Sequence, residues 1–104
     1  MQDYGLVSVI TPSYNCARFI GATIESVQAQ TYPNWELIIV DDCSTDHSRE
    51  VIEKYIGEDP RIKLVVLDRN SGAAVTRTKA MQLAQGRYMA FLDSDDLWVP
   101  DKLE

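Results

Sequence analysis

Short apolar runs alternate with amphipathic stretches along the chain. The apolar runs have the length and residue types of strands: Leu6–Ile10, Trp35–Val40, Ile62–Leu67 and Tyr88–Leu92. Between them, apolar residues recur at helical spacing over Arg18–Gln30, Ser44–Ile56 and Gly72–Gln85. The order βαβαβαβ predicts an α/β fold, in which a Rossmann-like, doubly wound, mainly parallel sheet of about four strands has helices on both faces.

Turn-forming residues mark the predicted boundaries of these elements. Thr11-Pro12 end the first strand, and Ser44-Thr45-Asp46 begin the second helix, which Gly57 ends. Gly86 occupies the position of a C-terminal cap after the third helix. That helix offers a set of apolar residues for packing: Ala74, Val75, Ala80, Met81 and Ala84.

The bulk properties are those of one globular domain. The chain has 104 residues, of which 45% are hydrophobic and 25% charged, and this predicts a single domain over residues 1–104 with one modest core. The net charge of −6 argues against a nucleic-acid partner held by a basic surface. A phosphate ligand would also be repelled by this charge, and a bound cation would offset the repulsion.

Cysteine use and hydropathy predict a cytoplasmic setting. Cys16 and Cys43 have no metal-binding spacing and form no disulfide framework, so we expect both to be reduced thiols. The sequence holds no run of about 18 consecutive apolar residues, which is the length that spans a membrane. The N-terminus also lacks the basic and apolar regions of a signal peptide.

Each predicted strand ends in a polar, turn-forming cluster. The clusters are Thr11–Asn15, Asp41–Ser44, Asp68–Gly72 and Asp93–Asp96. The carboxyl ends of parallel strands lie along one edge of a sheet, and ligands bind there at the point where the strand order reverses. In a 3-2-1-4 order, Thr11–Asn15 would face Asp93–Asp95 across this crevice. Contact with solvent explains polar strand ends, but it explains their many aspartates less well.

The acidic segment Asp93-Ser94-Asp95 predicts a divalent-metal site. Hard carboxylate oxygens select Mg²⁺, Mn²⁺ or Ca²⁺ over softer metals. Two carboxylates leave coordination positions for waters and ligand phosphates, and such a metal stabilises the departing charge when a phosphate ester bond breaks. A D-x-D segment is also typical of a solvated turn or of a cap ahead of Leu97-Trp98. Its position after a buried strand favours the metal.

Several other polar residues have two interpretations. Asp41-Asp42 either stabilise the dipole of the next helix or accept hydrogen bonds from a base edge or a ribose hydroxyl. Arg77 is either a surface arginine or a cation directed at phosphate. His47 is the only histidine, and we interpret it as solvated. The sequence contains neither G-x-G-x-x-G nor G-x-x-x-x-G-K-[ST], so a glycine-rich loop does not hold the phosphate.

Five segments, in order, resemble family 2 glycosyltransferases of the GT-A fold: Val7–Asn15 (VSVITPSYN), Gln28–Trp35 (QAQTYPNW), Val40–Asp46 (VDDCSTD), Asn70–Arg77 (NSGAAVTR) and Phe91–Leu97 (FLDSDDL). The resemblance covers nearly all of the chain. It implies transfer of a sugar, usually from a UDP-sugar, to an acceptor hydroxyl with inversion, and it implies Mn²⁺ or Mg²⁺ as cofactor. A glycan or lipid-linked acceptor and polysaccharide biosynthesis follow from the same resemblance. A peripheral position at the inner membrane face is compatible with it for a full-length enzyme, but the sequence leaves membrane attachment open.

The resemblance also implies which residues form the site. It places Asp42 against the uracil ring, and it places Asp93 near the ribose or the metal. The direct metal ligands would be Asp95 and Asp93. The residues that would contact the nucleotide are Thr11, Pro12, Tyr14, Asn15, Asp42, Arg77, Asp93 and Ser94.

Two features depart from the family's pattern. Cys43 replaces the common glycine of the second motif, which is a small change at a turn. The chain ends at Glu104, before the half expected to bind the acceptor and supply a carboxylate base. We therefore expect donor binding without transfer, and no catalytic residue in this chain. Tyr88–Leu92 would then form an apolar sheet edge, which predicts homo-oligomers.

Three other classes of protein share parts of this pattern. A receiver domain also collects aspartates at strand ends, but it needs an acidic pair after the first strand, where Thr11-Pro12 stand here. A nucleotidyltransferase would need a glycine-rich loop at that point. A non-enzymatic module that binds a nucleotide is the third alternative.

Overall fold

A computed structural model of the chain describes residues 5–94, 96–100 and 102–103. Strands and helices alternate throughout this part of the chain, as the hydrophobic pattern predicts. The elements are β1 (Val7–Ser13), α1 (Ala17–Gln28), β2 (Trp35–Asp41), α2 (Ser48–Glu58), β3 (Ile62–Val66), α3 (Ala73–Leu83) and β4 (Tyr88–Phe91). None of the helices within the described residues combines the length and apolarity needed to cross a bilayer.

The strands form one parallel sheet in the order β3-β2-β1-β4. Val7 of β1 is in register with Trp35 on one side and with Tyr88 on the other. The chain therefore builds the sheet outward through β2 and β3, and then returns to place β4 beside β1. This reversal is the arrangement that creates a ligand crevice at the carboxyl ends of β1 and β4. The predicted fold class and strand order are confirmed.

Helices cover both faces of the sheet. On one face, α1 and α2 pack on side chains such as Val9 and Ile39 in a cluster that also holds Ile20, Ile24 and Ile52. On the other face, α3 covers a smaller cluster formed by Ile10, Ile38, Val40 and Ala80. Because β2 is buried on both faces, all its residues are buried, and this explains its continuous apolar run.

Strand β1 continues through Pro12 to Ser13, so the prediction that Thr11-Pro12 end it is wrong. The carbonyl of Ile10 accepts the Leu92 N–H on the β4 side, whereas the Ser13 carbonyl accepts the Asp42 N–H on the β2 side. Because backbone groups alternate in direction, Pro12 faces the β4 side. Pairing with β4 ends at Ile10. The missing N–H of Pro12 therefore costs no ladder hydrogen bond.

Helix α2 begins at Ser48, not near Ser44 as the capping residues predict. The Asp46 Oδ1 atom accepts the Ser48 N–H at 2.9 Å. An aspartate two residues before the helix therefore satisfies one of its first backbone N–H groups. The helix continues to Glu58, which places Gly57 inside it rather than at its end. An aspartate at the start of this helix agrees with the sequence, whereas the predicted positions of both helix ends were wrong.

The prediction that Gly86 caps α3 is also wrong, because that helix ends at Leu83 and Ala84 follows it. Glycine is required at position 86 for another reason. A Cβ atom there would lie 2.5 Å from Ser8 Oγ and 2.7 Å from Ser8 N. The Gly86 N–H donates to the Ser8 Oγ atom at 2.8 Å. The loop before β4 thus lies directly on β1, which only a residue without a side chain allows.

Apolar side chains remain exposed on α3 and β4. Helix α3 packs through Thr76 and Ala80, one turn apart, whereas Val75 and Met81 are exposed, contrary to the expectation that both pack. The β4 side chains Tyr88, Met89 and Phe91 are 47–51% exposed. In the described part of the chain, β4 is therefore an apolar edge of the sheet.

Candidate functional site

A cleft of about 350 Å³ lies where the carboxyl ends of the strands meet. All four strand ends line it, through Pro12, Ser13, Tyr14, Asp42, Asn70, Gly72, Thr76 and Ser94. A neighbouring recess of about 320 Å³ shares Pro12, Tyr14 and Ser94 with it and adds Asn15, Cys16, Phe19 and Asp93. Volumes of this size suit small-molecule ligands. The strand-end clusters therefore converge as the sequence predicts.

Asn15 holds the end of β1 against the loop after β2. Its backbone adopts a left-handed φ of 48°, which asparagine tolerates better than most residues. Its N–H donates to Ser44 Oγ at 2.9 Å, and its Oδ1 atom accepts the Thr45 N–H at 2.8 Å. Asn15 lines the recess next to Tyr14.

Asp41 is fully buried and holds together the end of β1 and the loop after β2. Its Oδ1 atom accepts the Ser13 hydroxyl at 3.1 Å and the Ser44 hydroxyl at 2.5 Å, and its Oδ2 atom accepts the Ser44 N–H at 2.8 Å. These bonds compensate the cost of burying the carboxylate. Of the Asp41-Asp42 pair, Asp41 therefore has a structural role, because it holds the backbone of the site in place through Ser13 and Ser44.

Asp42 carries the contact between β2 and the start of α3. Its two carboxylate oxygens accept the Ser71 N–H at 2.7 Å and the Gly72 N–H at 2.9 Å. These N–H groups precede α3, whose first turn cannot satisfy them. A carboxylate has about four acceptor positions. Asp42 thus fixes one wall of the cleft, and each oxygen retains capacity for a ligand donor.

Asp46 joins the N-termini of α1 and α2. It accepts the Ala17 N–H at 3.2 Å through Oδ2, and the N–H and hydroxyl of Ser48 through Oδ1. Burial acts to raise the pKa of Asp46, but the hydrogen bonds from Ser48 and Ala17 outweigh it and lower the pKa. The charged form is therefore favoured at two positive helix ends.

The acidic segment forms a turn directly after β4. The Asp93 carbonyl accepts the Asp96 N–H at 3.0 Å, and the Asp96 Oδ1 atom accepts the Leu97 N–H at 2.9 Å. Asp93 is exposed beside the recess. Asp95, the predicted direct ligand, lies outside the described residues. Asp96 thus forms a local hydrogen bond within the segment that follows β4.

The oxygen-only donors of this turn fit a magnesium-type or manganese-type ion. Within residues 5–94, 96–100 and 102–103, no group of three or more His, Cys, Asp or Glu side chains is arranged to hold a metal. A complete protein cage is not required, because Mg²⁺ binds through one or two carboxylates plus waters and substrate phosphates. The exposed Asp93 carboxylate can supply one such ligand.

Two of the residues predicted to contact the nucleotide, Thr11 and Arg77, line neither the cleft nor the recess. Thr11 is fully buried, and by strand alternation it shares the face of Val9 beneath α1 and α2 rather than lining the cleft. Among the residues that the structure describes, its Oγ1 atom has no hydrogen-bond partner. Arg77 is exposed on α3, and its guanidinium lies 5.9 Å from the centre of the Phe91 ring. It is thus on the side of α3 that faces β4.

The cleft also includes four residues that were not assigned to the nucleotide: Ser13, Asn70, Gly72 and Thr76. Thr76 lies one helical turn after Gly72, and its hydroxyl donates to the Gly72 carbonyl at 2.7 Å. The polar cluster at Asp68–Gly72 indicated this region. The spacing of four residues from Gly72 to Thr76 could have extended the prediction to Thr76, because both then lie on one helix face.

Named relatives are similar in sequence to this chain over nearly its whole length. The Bacillus subtilis (strain 168) protein TuaG, provisionally named a teichuronic acid biosynthesis glycosyltransferase, is 61% identical over 95% of this chain and 39% of its own length. The Escherichia coli protein WfgD, a UDP-Glc:alpha-D-GlcNAc-diphosphoundecaprenol beta-1,3-glucosyltransferase, is 50% identical over 100% of this chain and 40% of its own. The chain thus spans about two fifths of these relatives.

Solved structures share the fold. Staphylococcus aureus TarS 1–349 in complex with UDP superposes with a TM-score of 0.87, at 36% identity, over 93% of this chain and 29% of that one. The mannosyltransferase PcManGT of Pyrobaculum calidifontis, in complex with GDP-Man and Mn²⁺, gives a TM-score of 0.85 at 30% identity. That match covers 90% of this chain and 28% of PcManGT.

The parallel sheet and the cleft at its carboxyl edge are features of a doubly wound α/β ligand-binding domain. Its neighbours among solved structures are GT-A glycosyltransferases. The chain belongs to glycosyl transferase family 2, whose family model matches residues 8–104.

Proposed function

We propose that this chain is the donor-binding part of a glycosyltransferase that uses a nucleotide-diphosphate sugar, a UDP-sugar, with Mn²⁺ or Mg²⁺. The sugar would pass to an acceptor hydroxyl with inversion. The convergence of four strand ends on one cleft, beside an acidic turn, carries this proposal. The UDP bound to TarS and the GDP-Man and Mn²⁺ bound to PcManGT support it.

The cleft suits a nucleoside. Pro12 and the half-exposed Tyr14 give it an apolar and aromatic wall. Asp42 retains acceptor capacity for a base N–H or a ribose hydroxyl, while its bonds to Ser71 and Gly72 hold the carboxylate in one orientation. We assign Asp42 to the uracil ring. Arg77, over Phe91, is our candidate for a cation near the nucleotide.

The acidic turn suits the diphosphate. Asp93 and Asp95 would hold the metal through carboxylate oxygens, and Ser94 would line the shared wall of cleft and recess. When bound, the cation would offset the repulsion between the diphosphate and a chain of net charge −6, and it would stabilise the leaving nucleotide. We assign no catalytic base among the described residues.

We further propose a glycan or lipid-linked acceptor, in polysaccharide biosynthesis at the cytoplasmic face of the membrane. The E. coli relative is named for transfer to a diphosphoundecaprenol-linked sugar, and TuaG for teichuronic acid biosynthesis. Because these residues span about two fifths of each relative, we propose that their share of the activity is donor binding in a single domain.

Titration calorimetry with UDP, with and without Mn²⁺, tests the donor site. We expect Mn²⁺ to tighten UDP binding about tenfold or more, because a cation would offset the repulsion between the diphosphate and the acidic turn. Asp93→Asn and Asp95→Asn should each reduce this gain and leave metal-free binding unchanged. Asp96→Asn is the matched control: it makes the same charge change at a side chain whose oxygen bonds the Leu97 N–H.

Two results would contradict the donor site. One is UDP affinity that Mn²⁺ does not change in the unaltered chain. The other is a loss in Asp95→Asn that is equal with and without the metal, since a ligand residue acts only when its metal is present.

A further inference from the structure

The hydroxyl of Thr23 links helix α1 to the acidic turn. Thr23 is 1% exposed, and its Oγ1 atom lies 2.9 Å from the Ser94 carbonyl oxygen and 2.8 Å from the Asp96 carbonyl oxygen. These two carbonyls flank position 95 in the sequence. A side chain some seventy residues earlier in the sequence therefore holds the turn to which the proposed function assigns the metal.

Local helix chemistry does not explain this contact. A threonine inside a helix commonly donates its hydroxyl to the carbonyl four residues back. Thr78 in α3 does so, at 2.9 Å from the Ala74 carbonyl oxygen. For Thr23 the corresponding distance, to Phe19, is 3.2 Å, the longest of its three. The hydroxyl has a single hydrogen, and the shorter distances direct it toward the turn.

The loop that follows α1 holds the chain beyond the turn. The buried Gln30 donates its side-chain N–H to the Val99 carbonyl at 2.7 Å and accepts the Leu103 N–H at 3.1 Å. The Thr31 N–H donates to the Pro100 carbonyl at 2.8 Å. The segment after β4 is thus attached at several points to α1 and to the loop after it, and Thr23 makes the attachment at the turn itself.

We propose that Thr23 is a positioning residue for the acidic turn. Its hydroxyl fixes the backbone of Ser94 and Asp96, and through them it restricts the orientations open to the carboxylate-bearing residues of the turn. We call this contact between the Thr23 hydroxyl and the Ser94 and Asp96 carbonyls the tether, and it does not depend on any ligand. Its consequence for a metal rests on the proposed function.

Amide hydrogen exchange measures the tether without a ligand. Thr23→Val keeps the shape and removes the donor, so we expect the Asp96 and Leu97 amides to exchange about threefold to tenfold faster, as for the loss of one hydrogen bond. Thr23→Ser keeps the hydroxyl and should restore the original rates. Thr78→Val is the matched control, because it removes a similar hydroxyl from an exposed site on α3. It should leave both amides unchanged.

Calorimetry with UDP and Mn²⁺ then connects the tether to the site. Thr23→Val should reduce the Mn²⁺-dependent gain in UDP affinity about threefold to tenfold and leave metal-free affinity unchanged, whereas Thr23→Ser and Thr78→Val should behave as the unaltered chain. A purely structural role would change both affinities together.

The outcomes separate this proposal from the proposed function. Unchanged exchange at Asp96 and Leu97 in Thr23→Val overturns the tether, whatever UDP does. Faster exchange with an undiminished Mn²⁺ gain overturns the positioning role. A lack of any Mn²⁺ effect in the unaltered chain contradicts the proposed metal site alone, and the exchange rates still decide whether Thr23 holds the turn.

Discussion

At the scale of single residues, the backbone of Cys43 is strained. The resemblance to family 2 glycosyltransferases explains why this position has a conformation that suits glycine. Its φ is 60°, in the left-handed region that favours glycine. Family 2 glycosyltransferases commonly have glycine at this point of the second motif. The neighbouring Asp41 and Ser44 are tied into the loop by their side-chain bonds, so the loop keeps this conformation although a cysteine occupies the position. The substitution is therefore a tolerated but costly one.

We predict that Cys43→Gly stabilises the chain. A non-glycine residue in the left-handed region costs about 1–2 kcal/mol, and the added freedom of glycine in the unfolded chain returns about 0.5–1 kcal/mol of that. The free energy of unfolding should therefore rise by about 0.5–1 kcal/mol in urea denaturation. Cys43→Ala is the control, because it removes the thiol and keeps the strain. An equal gain in Cys43→Ala would assign the effect to the thiol.

The site residues show how a motif residue can have a role other than ligand contact. Asn15 bonds Thr45, and Asp42 bonds Ser71 and Gly72, so both motifs hold loops together across the cleft. A ligand contact by Asp42 is compatible with these bonds. Thr11, by contrast, is buried away from the cleft, and its assignment to the nucleoside is a prediction that the geometry does not favour.

At the scale of elements, Glu36 joins β1, β2, β3 and the loop before β4. It is 4% exposed, and its carboxylate accepts the Ser8 hydroxyl at 2.5 Å, the Lys63 ammonium at 2.7 Å and the Gln85 N–H at 2.7 Å. Burial acts to raise the pKa of Glu36, but the hydrogen bonds from Lys63, Ser8 and Gln85 outweigh it and lower the pKa below 4.5.

We predict that Glu36 makes the fold sensitive to acid. A carboxyl whose pKa is lower in the folded chain stabilises it above the unfolded pKa, near 4.5, and this stabilisation is lost as pH falls through the folded value. Glu36→Gln should lower the free energy of unfolding by about 1–3 kcal/mol at pH 7, because it weakens a buried charged network. The difference from the unaltered chain should shrink below pH 4.5.

Urea denaturation between pH 3 and pH 7 checks this prediction. Glu53→Gln, at an exposed position of α2, is the control and should change the free energy of unfolding by less than about 0.5 kcal/mol at every pH. A difference between Glu36→Gln and the unaltered chain that stays constant down to pH 3 would show that packing, not charge, makes Glu36 stabilising.

At the scale of the whole molecule, β3 and β4 form the two edges of the described sheet. Beside β1, the edge strand β4 exposes Tyr88, Met89 and Phe91 by about half. An apolar edge with unpaired backbone groups is a template for pairing with another chain. We therefore retain the expectation that this chain forms homo-oligomers through β4.

Light scattering over a range of concentrations tests this association. We predict a rise in apparent mass with concentration, and its loss in Met89→Lys, because a charged side chain on an edge strand opposes pairing. Val75→Lys is the matched control: Val75 is 51% exposed, close to the 49% of Met89, but lies on α3. The idea fails if the unaltered chain stays monomeric at high concentration, or if both variants abolish association equally.

The sequence by itself determined the alternation of elements, the parallel sheet, the edge on which the polar clusters meet and the family. The elements, the sheet and its polar edge follow from hydrophobic periodicity and from residue types at strand ends, which are local features of a chain. The family follows instead from the resemblance of five motif segments. The position of Asp42, Tyr14 and Ser94 around one cleft follows from the same pattern, because parallel strands bring their carboxyl ends together.

Only the tertiary structure decided the rest. Pro12 continues β1 because β4 is too short to need its N–H, and Gly86 is required because its loop lies on Ser8. Asp42 anchors α3, and Thr23 holds the acidic turn. Each of these features depends on contacts between residues that are distant in sequence. The backbone N–H and C=O groups that take part are present in nearly every residue, so the sequence does not mark them. A local pattern cannot show which distant partner a carboxylate or a hydroxyl will bond, because the packing of whole elements makes that choice.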